Sequence, residues 1–304
     1  MGLVGEPSIR AAEDRDADRA GDVNFLAFYD VALRHAQPPV VHTPADARGY
    51  VRHLLAFDPM GGLVAEVDGE IVGMAWVHGR GPVATLGPLA VDPRMQGRGI
   101  GRALLGRCID LAGPRVPQLR LVQESYNTTS LGLYLRAGFR VVAPLLELEL
   151  APGGRVGGVT PTGARLREAG AGDRTRLIER DGRAFGAPRP QNVDLHLQRG
   201  RALVAERGTA LAGYAFGIGL GQVAYLGSAS AEDADVLLEL LASLAADLHG
   251  DTTGVRTLVP PSDRRVVDGL LGIGFRALRA CHYMVRGGGT APPPNYVLMN
   301  GDLM

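Results

Sequence analysis

The sequence contains no lysine; all 32 of its basic residues are arginine. A P-loop, which closes its glycine-rich turn with Gly-Lys-Ser/Thr, is therefore excluded. Cysteine is nearly absent as well. Cys108 and Cys281 stand alone and far apart, so neither a disulfide framework nor a cysteine-based zinc site follows. Cys108 falls within an apolar helical pattern and reads as a small core residue. No stretch approaches the roughly 18 consecutive apolar residues of a membrane-spanning helix. The opening "MGLVGEPSIRAAEDRDADRA" turns charged before the apolar run of about 7–15 residues that a signal peptide needs. Excess charge is missing too: 32 acidic residues balance the 32 arginines, which argues against general affinity for nucleic acid or an anionic membrane. The expectation is a soluble, cytoplasmic protein with no metal, nucleic-acid or membrane partner, monomeric or homodimeric. The lack of lysine beside abundant Ala, Gly, Val and Arg reads as the codon bias of a GC-rich genome.

What is present is a repeat. At 304 residues the chain has the length of about two domains. "LVAEVDGEIVGMAWVHGRGPVATLG", residues 63–87, aligns without a gap with "LVAERGTALAGYAFGIGLGQVAYLG", residues 203–227, and 12 of the 25 positions are identical. A weaker pair, residues 119–142 and 255–278, follows at an offset of 136 instead of 140, so the second copy has lost four residues between the blocks. Two domains of one fold are expected, 1–152 and 160–304, joined by the Gly- and Pro-rich "APGGRVGGVTPTG" (151–163).

Each copy reads as a short first strand ("SIRAA", "ARLREA"), helices, then a run of strands and helices. In the first copy Thr43 and Pro44 open the second helix as N-cap and first helical residue. Asp68-Gly69 marks a hairpin turn. "GRALLGRCIDLA" has helical spacing and "QLRLVQ" is a strand. "NTTSLGLYLRAGF" is a helix capped by Asn127 or Thr128 and stopped by Gly138. "VVAPLLELEL" supplies closing strands. The fold class is α/β (α+β): a mixed, mostly antiparallel sheet flanked by helices, twice over.

The four lost residues fall on "VDPRMQGRGIGRALL", residues 91–105. There a strand ends, Gly97, Gly99 and Gly101 follow at alternate positions, and a helix begins. Amides at a helix start point one way and carry partial positive charge, and glycines let an anion approach the backbone. The dinucleotide pattern G-x-G-x-x-G is not met, because Arg102 stands where its third glycine would fall. Gln96-Gly97-Arg98-Gly99-Ile100-Gly101 resembles instead the [Q/R]-x-x-G-x-[G/A] signature of the GCN5-related N-acetyltransferase (GNAT) superfamily. "NTTSLGLYLRAGF" is similar to that family's N-x-x-[AS]-x-x-[LF]-Y-x-x-x-G-F element. The resemblance covers residues 8–150 in full; the second copy shares the fold pattern without the loop.

The resemblance implies acetyl-CoA as co-substrate and acetyl transfer to a primary amine, on a small molecule or peptide, by direct attack in a ternary complex. Its cofactor-binding positions would be Leu89, Ala90 and Val91 along the pantetheine arm, Gln96, Gly97, Arg98, Gly99, Ile100, Gly101 and Arg102 around the pyrophosphate, and Asn127, Ser130 and Tyr134 on the following helix. The amide near Leu89 would polarise the thioester carbonyl, and Tyr134 would protonate the leaving thiolate. Spacing supports this independently, since Asn127, Ser130 and Tyr134 share one helix face. Many family members carry a base on the fourth strand, but "VATLGPLAV" has no carboxylate. Glu124, on the next strand, is the candidate base; His35, His42, His53, His78 or a water chain are others.

In the second copy Asn127 becomes Asp263, Ser130 becomes Val266 and Tyr134 becomes Leu270. This half is read as having lost cofactor binding. Its tail ends in the apolar run Tyr296-Val297-Leu298-Met299, which is expected to dock on the other domain. The alternative to an enzyme is a non-catalytic acyl-CoA-binding or regulatory module.

Overall fold

The structure, a computed structural model, describes residues 6–113 and 116–299. The chain divides into two compact units. Unit 1 is Met1–Val141 with Met284–Gly289, and unit 2 is Val142–Tyr283 with Thr290–Met304.

Unit 1 begins with β1 (Ser8–Ala11), α1 (Ala17–Arg34) and α2 (Pro44–Phe57). Thr43 caps α2 by accepting from the Asp46 amide, with Pro44 in the first turn, the arrangement that a Thr-Pro start favours. β2 (Gly62–Val67) and β3 (Glu70–Arg80) form the hairpin, and both Asp68 and Gly69 have positive φ at its turn, as a type I′ turn requires. β4 (Val83–Val91), α3 (Ile100–Ala112), β5 (Gln118–Glu124) and α4 (Thr128–Arg136) follow. Strand order is β1-β2-β3-β4-β5, antiparallel except for the parallel pair β4–β5.

Alternation of side chains across this sheet builds two cores. Leu63, Ala65, Val77, Leu86 and Leu121 face α3 and α4; Val64, Met74, Trp76 and Ala90 face α1 and α2. Cys108 is buried on the α3 side, and burial pushes its thiol up to about 12, so it packs as a neutral group at physiological pH. Trp76 is fully buried over Gly62, where a Cβ would lie 2.4 Å from its ring.

The chain order and the compact units differ at the last strands. β6 (Arg140–Leu150) lies almost wholly in unit 2, where Leu146–Leu150 pairs antiparallel with Val259–Val255. Unit 1 takes its sixth strand from the end of β12 (Arg276–Gly287), next to β5. Met284 joins the α3-side core, the Gly288 amide donates to Pro117 O (3.1 Å), and Arg286 Nε donates to Ala137 O (3.1 Å). Each unit is thus closed by the last strand of the other repeat. The cut 1–152/160–304 follows the repeat in the sequence and does not see this exchange, because an exchanged strand has the same local pattern as an unexchanged one.

Unit 2 repeats the architecture with β7 (Arg165–Glu168), α5 (Arg174–Phe185), α6 (Pro190–Gln198), β8 (Arg201–Arg207), β9 (Ala210–Leu220), β10 (Val223–Ala231), α7 (Ala234–Leu248), β11 (Gly254–Val259) and α8 (Arg264–Gly272). The segment expected as a linker has no regular structure but is fastened to unit 2. The Gly157 amide donates to Ile273 O (2.7 Å), and Thr162 donates through its amide and hydroxyl to Glu239. The apolar tail, expected to dock on the other domain, belongs to its own unit. It forms β13 (Tyr296–Val297) within unit 2, paired with β10.

Both units also carry one ion cluster that the sequence alignment did not disclose. Arg10 binds Asp16 and Glu66, and Arg167 binds Asp173 and Glu206 in the same arrangement. Each ties the first strand to the start of the first helix and to the next strand.

Candidate functional site

β4 and β5 pair in parallel only over Val83–Thr85 with Gln118–Arg120. Beyond that point β4 stays on β3, with Leu89, Ala90 and Val91 opposite Ala75, Met74 and Gly73. The register shifts in between: Gly87 and Pro88 together oppose Trp76. Such a bulge bends and twists the strand. The two strands therefore part, and Leu89–Val91 on one side and Val122–Glu124 on the other form the walls of a cleft.

The glycine segment stands at one end of this cleft. Asp92, 1% exposed, caps the short turn Pro93–Met95 by accepting from the Arg94 amide (3.0 Å). The Arg94 guanidinium, bonded to the same carboxylate, holds its pKa below the usual value. Gln96 turns back and donates from Nε2 to Val91 O (3.0 Å). It fastens the loop to the end of β4, so its side chain faces the protein. Gly97 and Gly99 have φ of +77° and +86°, a region that side chains with a Cβ rarely adopt. Apart from its chain neighbours, no described residue comes within 4 Å of a Cβ built on Gly97. Gly99 is the N-cap of α3 and supplies no side chain to the helix start. The first helix bond is Ala103 N to Gly99 O, so the amides of Ile100, Gly101 and Arg102 precede the intrahelical ladder. Arg98 and Arg102 are exposed, and Ile100 is buried in the core. Gly101 rests near Leu89, Val91 and Leu133, so the helix start and the cleft wall touch.

The other wall is organised by Gln123, a buried residue that sequence reasoning missed. Its Nε2 donates to the carbonyls of Glu124 and Asn127 and to Ser130 Oγ (3.1 Å). A polar residue at the core-facing position after Leu119 and Leu121 was the available signal. Asn127 caps α4, its Oδ1 accepting from the Ser130 amide (3.1 Å). Ser130 Oγ donates to Asn127 O (3.0 Å). Tyr134, one turn on, is buried and packs edge-to-face on Phe139 at 5.8 Å. Ser130 and Tyr134 thus share the core-facing side of α4, where the Tyr134 ring is a core residue.

Glu124 ends β5 and accepts from Tyr126 Oη (2.6 Å). The Tyr126 ring lies 5.4 Å from that of His35, whose Nδ1 is 2.8 Å from Val31 O. Of the four histidines considered, His35 is the one this cluster contains. His78 is fully buried, with Nδ1 3.1 Å from Asp58 Oδ2, and His53 stacks on Phe57 at 6.0 Å. His42 is exposed. Among the described residues no group of His, Cys, Asp and Glu could hold a metal, and no helix is long and apolar enough to cross a membrane.

Comparison with known proteins gives one family twice. Residues 27–139 match the acetyltransferase (GNAT) family, and residues 177–298 match a GNAT acetyltransferase domain. Among curated proteins the chain is similar to the mycothiol acetyltransferase of Acidothermus cellulolyticus, 36% identical over 101 residues, which are 28% of this chain and 31% of that protein. The mycothiol acetyltransferase of Propionibacterium freudenreichii is 36% identical over 139 residues, 43% of this chain and 42% of that one. The chain spans about a third of the length of the first of these relatives and less than half of the second. In fold it is similar to a Pyrococcus horikoshii protein provisionally described as an acetyltransferase (TM-score 0.77, 19% identity, 97% of this chain and 94% of that one). A GCN5-related N-acetyltransferase from Sphaerobacter thermophilus gives a TM-score of 0.66 (17% identity, 94% and 98%). A tandem GNAT protein from the clavulanic acid biosynthesis pathway gives 0.61 (18%, 94% and 100%).

Proposed function

The chain is a tandem-domain member of the GNAT acetyltransferase family, and from that premise we propose that it is an acetyl-CoA-dependent N-acetyltransferase with one working site, in unit 1. The reading rests on a single observation: the cleft between β4 and β5 runs from the left-handed glycines at the start of α3 to the helix carrying Asn127, Ser130 and Tyr134. The residues present fit the co-substrate. The backbone at Gly97 and Gly99 is open, and the amides of the first turn of α3 are available to an anion.

Acetyl-CoA brings an acetyl group activated as a thioester. The amides from Gly97 to Arg102 would hold its pyrophosphate, with Arg98 and Arg102 at the solvent side. Leu89, Ala90 and Val91 would pair with the pantetheine arm, and the Leu89 amide would polarise the thioester carbonyl. Gln96 holds the loop shut behind them. The Oδ1 of Asn127 is committed to capping α4, which leaves its Nδ2 to donate to the arm. Ser130 fixes that cap. Tyr134 would give its proton to the departing thiolate.

The acceptor must reach the thioester as a neutral amine. An alkylamine of pKa about 10.4 is neutral to only about one part in a thousand at pH 7, so a base raises the rate. Glu124, held by Tyr126, is assigned that proton. Relatives that carry the name mycothiol acetyltransferase favour a small-molecule amine as acceptor. The test is release of free CoA thiol from acetyl-CoA across a panel of small amines and short peptides. Turnover with an amine supports the enzyme; binding of acetyl-CoA with no turnover on any acceptor would favour a sensor of the co-substrate.

A further inference from the structure

Unit 2 contains the same cleft. β10 and β11 pair in parallel over Val223–Tyr225 with Gly254–Arg256, the exact counterparts of the β4–β5 pairs under the repeat offsets of 140 and 136. Beyond them the strands part as they do in unit 1. In unit 2 the gap holds a segment of the chain itself. Val297 and Tyr296 pair with Ala229 and Ser230, and the Ala231 amide donates to Asn295 O (3.3 Å). Residues 229–231 are the counterparts of Leu89, Ala90 and Val91. On the other wall Leu298 exchanges two backbone hydrogen bonds with Leu258, at 3.0 and 3.2 Å. Leu258 corresponds to Val122.

The ends of the segment are fixed with equal specificity. The Asn295 amide donates to Asp263 Oδ2 (2.8 Å). Asp263 is the counterpart of Asn127, and its side chain caps no helix amide of its own. Tyr296 Oη accepts from Arg189, part of a fully buried pair with Asp181. Leu298 and Met299 lie against Gly227, where a Cβ would be 2.3 Å from their backbone. Tyr296, Val297, Leu298 and Met299 are all at most 4% exposed. The helix start is taken as well: the Asp233 carboxylate caps α7 by accepting from the Val236 amide (2.9 Å), so a side chain of the protein occupies a position that Gly99 leaves without a side-chain cap in unit 1.

We infer that the β10–β11 cleft of unit 2 is a peptide-binding site whose resident ligand is the chain's own segment Asn295–Met299, seated on the track that the corresponding cleft of unit 1 offers to a pantetheine arm. The inference does not depend on the chemistry proposed for unit 1. It means that the second repeat has exchanged a diffusible ligand for a tethered one.

Amide hydrogen exchange on the full-length protein tests this directly. The amides of Ala231, Leu258, Asn295 and Leu298 are expected to exchange at least 100-fold more slowly than those of the exposed turn glycines Gly69 and Gly208. Exchange of all four at the rate of those glycines would overturn the inference. In the full-length variant Leu298→Pro the donor to Leu258 O is lost. Protection at Ala231 and Leu258 is then expected to fall at least tenfold. A synthetic peptide of residues 291–304 added in trans should restore it, whereas CoA should not. Rescue by CoA, or a second equivalent of CoA bound by the variant, would overturn the inference. Should Leu298→Pro fail to fold, exchange in the unaltered protein decides alone.

Discussion

At the scale of single residues, Tyr134 is the sharpest test. Its ring packs on Phe139, so Tyr134→Phe keeps the apolar contact and removes only the hydroxyl. kcat is expected to fall by roughly 10²-fold, the lower end for a general acid, with KM for acetyl-CoA nearly unchanged. Steady-state kinetics with an identified amine checks both, and an unaltered kcat removes Tyr134 from the chemistry. Gly99 tests the loop. A valine there is strained at φ of +86°, so Gly99→Val should abolish acetyl-CoA binding in calorimetry while the far-ultraviolet circular dichroism stays native. Asp173 concerns stability. Its hydrogen bonds with Arg167 lower its pKa to about 2, from an ordinary 3.8. A depressed carboxylate stabilises the fold fully above its unfolded pKa and loses that contribution as pH falls through the folded value. Stability of unit 2 should therefore decline between about pH 4 and pH 2. Asp173→Asn should lower it by roughly 2 kcal/mol at neutral pH and flatten the decline, as read by denaturant titration at several pH values.

Among the elements, the β5–α4 corner depends on Gln123. Its one amide nitrogen serves three acceptors, and Gln123→Ala removes that buried donor, leaving Asn127 O to the Leu131 amide and Ser130 Oγ. A cost of about 1–3 kcal/mol follows, together with a raised KM for acetyl-CoA because the cap at Asn127 loosens; a thermal melt and a saturation curve measure the two. Elements defined by local chemistry were legible in the sequence: the Thr43-Pro44 helix start, the Asp68-Gly69 turn, and the Asn127 cap with its Gly138 stop. The glycine loop was legible because a left-handed backbone demands glycine. What could not be read were choices among partners of equal local fitness. β6 and β12 present the same alternation to either sheet, so periodicity carries no sign of the exchange. The tail announced an apolar run but not its berth, because backbone pairing with β10 leaves no mark on side-chain type. Arg10 and Arg167 each looked like one arginine among 32.

At the scale of the whole molecule, the exchanged strands decide what can be removed. Unit 1 contains Met284–Gly289, with Met284 in its core and Gly288 bonded to Pro117. A chain truncated after residue 152 keeps every residue of the proposed site but lacks the strand beside β5. It should be insoluble or lack a cooperative thermal transition; a soluble fragment melting at the full-length temperature would refute the dependence. The same feature bears on biosynthesis. A ribosome delivers β1 to β5 long before it delivers Met284, so the nascent first sheet waits with the edge of β5 unpaired through the translation of the 160 residues from the end of β5 at Glu124 to Met284, the exposure that invites association between neighbouring chains. Recombination is constrained likewise: a first repeat moved alone into another gene would arrive without Met284–Gly289, the strand end that lies in its unit.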